Sequence, residues 1–275
     1  MTLLSRLSAA AGLDRLPGAK RFLKSSLYRL RDPLARGVRL ELGGESVRVP
    51  SRFARAPWTH YEPAATRRVA QWVHAHPDAA VIDVGCSVAL YSLLAISLSP
   101  RAEAWAIDSD LVSLQASRWL LRHAGAERLH VIHGYAGEAP TVELSAPEAA
   151  AVTAGRLDAA NVPSEPSLAS YICLDAQAEN AIPVHRLDRL FGAADRRRPW
   201  LVKIDVEGAE AIVLRGAIDL LDRARPQLLV SVHPPALRGY GLTPDDIRAW
   251  LAARGYAIAV DIEPHEEHWW CTPAA

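Results

Sequence analysis

From Ala79 onward short apolar runs alternate with amphipathic stretches of helical length, and that alternation admits few folds. The spacing predicts strand 79–85, helix 89–99, strand 102–108, helix 110–124 and strand 129–134. An irregular stretch rich in Pro, Ala and Glu follows at about 135–199, with short strands expected at 169–175 and 181–187. The alternation then resumes as strand 200–205, helix 207–222, strand 227–232, helix 243–254, strand 256–262 and strand 267–272. Strands separated by helices imply a mostly parallel sheet covered on both faces. The last two strands lack a helix between them and so imply an antiparallel C-terminal hairpin. Upstream, Leu3, Leu4 and Leu7 predict a short amphipathic helix. Residues 38–50 alternate around Gly43-Gly44 and predict a hairpin, and Pro63 opens a helix reaching about His76. The expected division is an N-terminal extension, 1–60, and a doubly wound α/β domain, 61–275, into which 135–199 is inserted.

The 275 residues suffice for such a core, half of them being hydrophobic. No apolar run approaches the roughly 20 residues of a membrane span. Arg6 and Arg15 interrupt the first leucines and leave no signal-peptide core, so a cytoplasmic protein is expected. Cys86, Cys173 and Cys271 are widely spaced, which argues against a disulfide framework or a zinc site. The net charge is zero, yet residues 1–60 carry 12 basic and four acidic side chains. Such a basic arm either packs on the acidic remainder or docks an acidic partner: a carrier protein, an anionic lipid, nucleic acid or a second copy of the chain. Few aromatic residues interleave with its charges, which disfavours nucleic acid.

In an open α/β sheet a ligand binds beyond the carboxyl ends of the strands. The first of these ends, VIDVGCSVALYSLLA (81–95), reads strand, tight turn, helix, with one glycine, Gly85, where a dinucleotide loop has three. Asp83 ends that strand. Asp108 and Ser109 end the next, and an acid there suits ribose hydroxyls. His133, Gly134 and Tyr135 follow the third, Asp205 and Glu207 the fourth, and His233 the fifth. Each has a bland alternative: Asp83 and Asp108 as helix caps, Glu207 as a first-turn acid, the histidines as satisfied strand ends. A pyrophosphate needs a glycine where Ser87 stands, and it suits an acid at Asp83 poorly. S-adenosylmethionine has no phosphate and carries an ammonium group, so Asp83 favours it over NAD.

At these residues the chain resembles the FkbM family of class I methyltransferases. Asp83-Val84-Gly85-Cys86-Ser87-Val88-Ala89-Leu90-Tyr91-Ser92 follows the family's D-V-G-A-N-x-G-x-x-S, with serine replacing asparagine and alanine replacing glycine. LVKIDVEGAEAIVLRGA (201–217) is nearly the family's K-I-D-V-E-G-x-E-x-x-V-L-x-G-A, and RLDRL (186–190) stands at its leucine-aspartate pair. The resemblance implies a seven-stranded Rossmann-like fold and methyl transfer from S-adenosylmethionine to a hydroxyl of a sugar or secondary metabolite. It implies that Asp83, Gly85, Cys86, Ser87 and Ala89 line the methionine end of the cofactor. Asp108 with Ser109 would bind the ribose, Gly134 and Tyr135 would flank the adenine, and Asp205 would face sulfonium and acceptor.

Methyl transfer to a hydroxyl needs alignment and a base within about 3 Å of the oxygen. His233 and Asp205 are the candidates by position, His233 because a free histidine titrates near roughly 6.5. Glu207 joins them as a catalytic candidate, since Asp205 and Glu207 together are an alternative divalent-cation site, though no third ligand is evident and no metal is expected. The rival readings are a nicotinamide dehydrogenase and a catalytically inactive Rossmann-like scaffold. The turn discriminates the scaffold: with no pyrophosphate to cradle, the helix is expected to begin at about Ala89 with φ near −60°. A positive φ there would mark a damaged glycine loop.

Overall fold

In the computed structural model the described residues are 38–49, 61–110, 113, 114, 117, 128–138, 182–262 and 266–274. The strand Ala80–Val84 (β3) is buried along its whole length. Ala80, Ile82 and Val84 join one apolar cluster and Val81 the other, so both of its faces are covered. The neighbouring strands are Glu103–Asp108 (β4), Leu129–His133 (β5), Trp200–Ile204 (β8) and Gln227–Val232 (β9), all parallel to β3. The chain ends in the antiparallel hairpin Tyr256–Ile262 (β10) and Glu267–Pro273 (β11). The seven-stranded sheet runs β10-β11-β9-β8-β3-β4-β5, with β11 antiparallel to β9. This is the expected Rossmann-like, doubly wound, mostly parallel sheet with an antiparallel C-terminal hairpin, whose last strand is inserted between β9 and β10. The strand order reverses between β3 and β8, the switch point at which such sheets form a ligand crevice.

One face is covered by Pro63–Ala75 (α1) and Leu90–Leu98 (α2), together with the hairpin Val38–Leu42 (β1) and Glu45–Val49 (β2). The predicted hairpin exists, and Leu42, Val47 and Val49 bury its apolar side against that layer. The other face is covered by Glu210–Arg215 (α4), Ile218–Ala224 (α5) and Pro244–Ala253 (α7). Thr243 and Asp246 cap α7 reciprocally. Two-residue strands, Tyr135–Ala136 (β6) and Val184–His185 (β7), pair in parallel below Leu187–Leu190 (α3), so the strand expected at 181–187 is real only at its centre. A short helix, Pro234–Leu237 (α6), follows β9. The N-terminal helix and strand 169–175 lie outside the described residues, and of helix 110–124 only residues 110, 113, 114 and 117 are described, the last three as helical.

The helix expected over 207–222 is two helices. At Gly216 an added Cβ would stand 2.1 Å from the Gly137 carbonyl oxygen, so the chain turns where β6's loop presses on it. Asp188 accepts from Leu220 N–H at 2.9 Å and thereby starts α5. The aspartate of RLDRL is therefore a buried structural cap.

The turn after β3 departs from expectation. Ala89 lies at φ 55°, ψ 43°, a left-handed residue preceding α2, and Ser87 is left-handed too, at φ 47°. The expected φ near −60° at Ala89 is wrong: the helix begins at Leu90, and the turn keeps the backbone path that glycine would take without strain. Gly85, at φ 68°, is required for another reason. A Cβ there would sit 1.7 Å from the Asp205 carbonyl oxygen, because the β3 and β8 loops cross at the switch point. A left-handed alanine costs about 1–2 kcal/mol, against roughly 0.5–1 kcal/mol of extra chain entropy for glycine. Ala89→Gly is therefore expected to raise stability by up to about 1 kcal/mol in urea denaturation, whereas Gly85→Ala is expected to prevent cooperative folding.

Candidate functional site

Lys203 and Asp83 are register partners on the adjacent parallel strands β8 and β3, and their side chains share the face covered by α2. Lys203 Nζ donates to Asp205 Oδ2 at 3.1 Å and to the Gly85 carbonyl at 3.2 Å, and it lies 3.7 Å from Asp83 Oδ1. It also rests 5.2 Å from the centre of the Tyr91 ring. Burial opposes its charge, but Asp205, Asp83 and Glu62 together outweigh burial, so the ammonium stays protonated. Burial pushes the Asp83 carboxyl up against the pull of Lys203. For this pair the charged lysine is the firmer direction, because three carboxylates face one ammonium. Asp83 is 0% exposed and spends Oδ2 on Ser92 N–H and Oγ–H, at 3.2 and 2.9 Å. It caps α2 and pairs with Lys203 beneath the turn expected to meet the ligand.

In the turn, Gly85 and Cys86 donate to the Ile107 carbonyl. The Cys86 side chain packs with Ala89, Ala106 and Leu114, which leaves its backbone as the part that faces the turn. Burial pushes its thiol well up. Asp108 is partly exposed and accepts Ser87 N–H on one oxygen and Asp110 N–H on the other, each at 2.8 Å. It ties the first turn to the second, and each oxygen keeps a lone pair for a ribose hydroxyl. Ser109 presents its carbonyl to His133 Nε2 at 3.0 Å. Ser87 Oγ is buried and lacks any hydrogen-bond partner among the described residues. Beyond β5, Gly134 N–H bonds the Asp108 carbonyl, and Tyr135 N–H bonds the Pro183 carbonyl. Both residues therefore border the same rim.

Across the switch point Asp205, Glu207 and His233 converge. His233 Nε2 is 3.6 Å from Asp205 Oδ1, 3.6 Å from Glu207 Oε2 and 3.1 Å from Glu266 Oε2, while Nδ1 meets Glu210 Oε1 at 2.9 Å. Burial works against the imidazolium, yet hydrogen bonds to Glu210 and Glu266 and the charges of Asp205 and Glu207 push its pKa up to about 11. The expectation of a free histidine near 6.5 is thus corrected: here His233 is a charged link between carboxylates. Glu207, at φ 50°, is half-exposed, and burial raises its carboxyl while His233 lowers it. Asp205 is less exposed than Glu207 and sits between Lys203 and His233.

Lys203, Glu210, Glu62, Tyr91, Glu266 and His268 were not singled out by sequence. Lys203 and Glu210 stand inside the 201–217 motif, where their charge amid apolar neighbours was the available signal. Glu62, Glu266 and His268 lie far apart in sequence and meet only through packing. Replacing the lysine strands the buried Asp83 carboxylate and the partly buried Asp205. Lys203→Met is expected to cost about 3–5 kcal/mol in denaturant unfolding. Adding Asp83→Asn should recover part of that loss; no recovery would mean the two side chains are uncoupled.

Residues 155–258 match the family model described as the Methyltransferase FkbM domain. No curated protein matches the chain by sequence. Among solved structures, an FkbM methyltransferase from Methylobacillus flagellatus KT is similar at 19% identity and a TM-score of 0.46, covering 69% of this chain and 42% of that one. This chain therefore spans less than half the length of that relative. A precorrin-6y C5,15-methyltransferase from Geobacter metallireducens GS-15 aligns over 76% of this chain and 87% of its own, at 12% identity and a TM-score of 0.40. An rRNA methylase from Streptococcus thermophilus aligns over 76% and 95%, at 12% identity and a TM-score of 0.43. The matched span, residues 155–258, includes the Lys203–Ala217 stretch that resembles the FkbM motif.

Proposed function

We propose that the chain uses S-adenosylmethionine to methylate a hydroxyl of a small molecule such as a sugar or secondary metabolite. The observation that carries this reading is the chemistry of the rim. Asp205, Glu207, Glu210, Glu266 and Glu62 outnumber Lys203, His233 and His268 there, and the buried Ser87 hydroxyl is unpartnered. An acid-rich rim favours a cationic ligand and opposes a pyrophosphate. The residues present fit the cofactor: Ser87 Oγ offers a hydrogen bond at the turn, Asp108 has free lone pairs for ribose hydroxyls, and Gly134 and Tyr135 border the place for a base. When bound, S-adenosylmethionine supplies a methyl group on a positively charged sulfur. Asp205 then takes the proton of the acceptor hydroxyl, and Lys203 and His233 hold that carboxylate in place from either side. His233 acts as a positioning residue.

One observation favours a second reading, the catalytically inactive scaffold: the strained, left-handed Ala89 where the family pattern has glycine. Calorimetry decides between the two. S-adenosylhomocysteine is expected to bind while NAD gives no heat, and Asp108→Ala should weaken binding at least tenfold, since a charged hydrogen bond contributes about 1.5–3 kcal/mol. Absence of binding to the native chain would leave the scaffold standing.

With a methylated acceptor in hand, Asp205→Asn should abolish turnover and keep S-adenosylhomocysteine affinity within a few-fold, whereas His233→Ala should only reduce turnover. Loss of turnover in His233→Ala with survival in Asp205→Asn would move the base to His233.

A further inference from the structure

A second cluster adjoins this rim: its members share the rim's charge and Glu266 also meets His233, but none of them takes the proton or touches the acceptor in the proposed methyl transfer. Glu62 precedes α1, Glu266 precedes β11, and His268 lies on β11 opposite Ser231 of β9. One ligand atom from each of Glu62, Glu266 and His268 lies within 4.8 Å of the others. His268 is 1% exposed. Its Nδ1 is held by the Ser231 hydroxyl at 3.0 Å, which fixes the ring and aims Nε2 between the two glutamates. That Nε2 is buried and has no hydrogen-bond partner among the described residues. Its nearest acceptors are Glu266 Oε1 at 3.5 Å and Glu62 Oε2 at 3.8 Å.

These separations are long for a hydrogen-bonded imidazolium and carboxylate pair, which closes to about 2.7–2.9 Å. They suit a cation lying between the groups. Bonds of about 2.0–2.1 Å in a tetrahedron place ligand atoms about 3.3–3.4 Å apart. The surroundings also have the character of a metal's outer shell. Ser231 orients the histidine through its other nitrogen, and the Tyr91 hydroxyl donates to Glu62 Oε2. The neighbouring trio Asp205, Glu207 and His233 is less suited, because both nitrogens of His233 already meet carboxylates. A site with an imidazole among its donors selects a first-row transition ion over magnesium or calcium, which take oxygen ligands.

We propose that Glu62, Glu266 and His268 bind one divalent cation of the zinc type, through His268 Nε2 and one oxygen of each glutamate. Water fills the remaining position. The site links the segment before α1 to the edge of β11. It does not depend on the methyl-transfer reading.

The test uses the full chain, stripped with chelator and titrated with Zn²⁺ alone by calorimetry, with metal content measured after desalting. One zinc per chain is expected, with no heat from Mg²⁺ at the same concentrations. His268→Gln and Glu266→Gln should each weaken zinc at least about tenfold, whereas Glu207→Gln should leave it within about twofold. Zinc-edge absorption spectra should show a single imidazole nitrogen with oxygen neighbours. If His268→Gln does not fold, as judged by circular dichroism, Glu266→Gln carries the decision, because that side chain is 20% exposed and glutamine keeps its size and an oxygen to accept from His233. No binding, binding untouched by Glu266→Gln, or loss in Glu207→Gln with retention in Glu266→Gln would each overturn the assignment.

Discussion

A buried ammonium organises this molecule. Lys203 sits at the centre of the sheet, where strand order reverses, with Asp83 beside it and Asp205 above it. An unpaired charge in that place would be prohibitive, so the two carboxylates and the Gly85 carbonyl must be where they are. That requirement holds the end of β3 against the end of β8. It also lets Gly85 run so close to the Asp205 backbone that no side chain fits between them. The crevice above the sheet inherits its shape from this contact.

The same pairing explains why two acids with similar sequence settings have different work. Asp83 points toward α2, where its Oδ2 accepts from Ser92, and its Oδ1 lies 3.7 Å from the Lys203 ammonium of β8. Asp205 lies one step beyond its strand, at the rim, where it shares Lys203 but also faces His233 and solvent. The acid excess around it continues through Glu207, Glu210 and Glu266 to Glu62, and His233 ties several of these together. A rim of this kind attracts cations, whether the sulfonium of a cofactor or a metal ion.

The strained turn shows how backbone and side chain can diverge. Ala89 follows a path suited to glycine, and the rest of the turn is held by Asp108, which accepts from Ser87 N–H, and by Ser117, whose hydroxyl donates to the Ser87 carbonyl. Contacts from β4 and the following helix thus fix a conformation that the local sequence disfavours.

Periodicity alone was enough to read the seven strands and the hairpin at Gly43-Gly44: β3, β8 and β9 are buried along their length and show as largely apolar runs, while β10 and the hairpin show as alternation, and both patterns are local to the sequence. The motif at 201–217 likewise lies within the residues that match the FkbM family model. What sequence could not display were choices made by neighbours distant along the chain. The break at Gly216 depends on a loop pressing from 137, and the inward turn of Asp83 on its register with Lys203. The charge on His233 depends on carboxylates at 205, 207, 210 and 266. The meeting of Glu62, Glu266 and His268 depends on β11 entering the sheet beside β9. Apolar pattern is a local property of the chain, whereas electrostatic environment and ligand geometry are sums over side chains that only folding brings within a few ångströms.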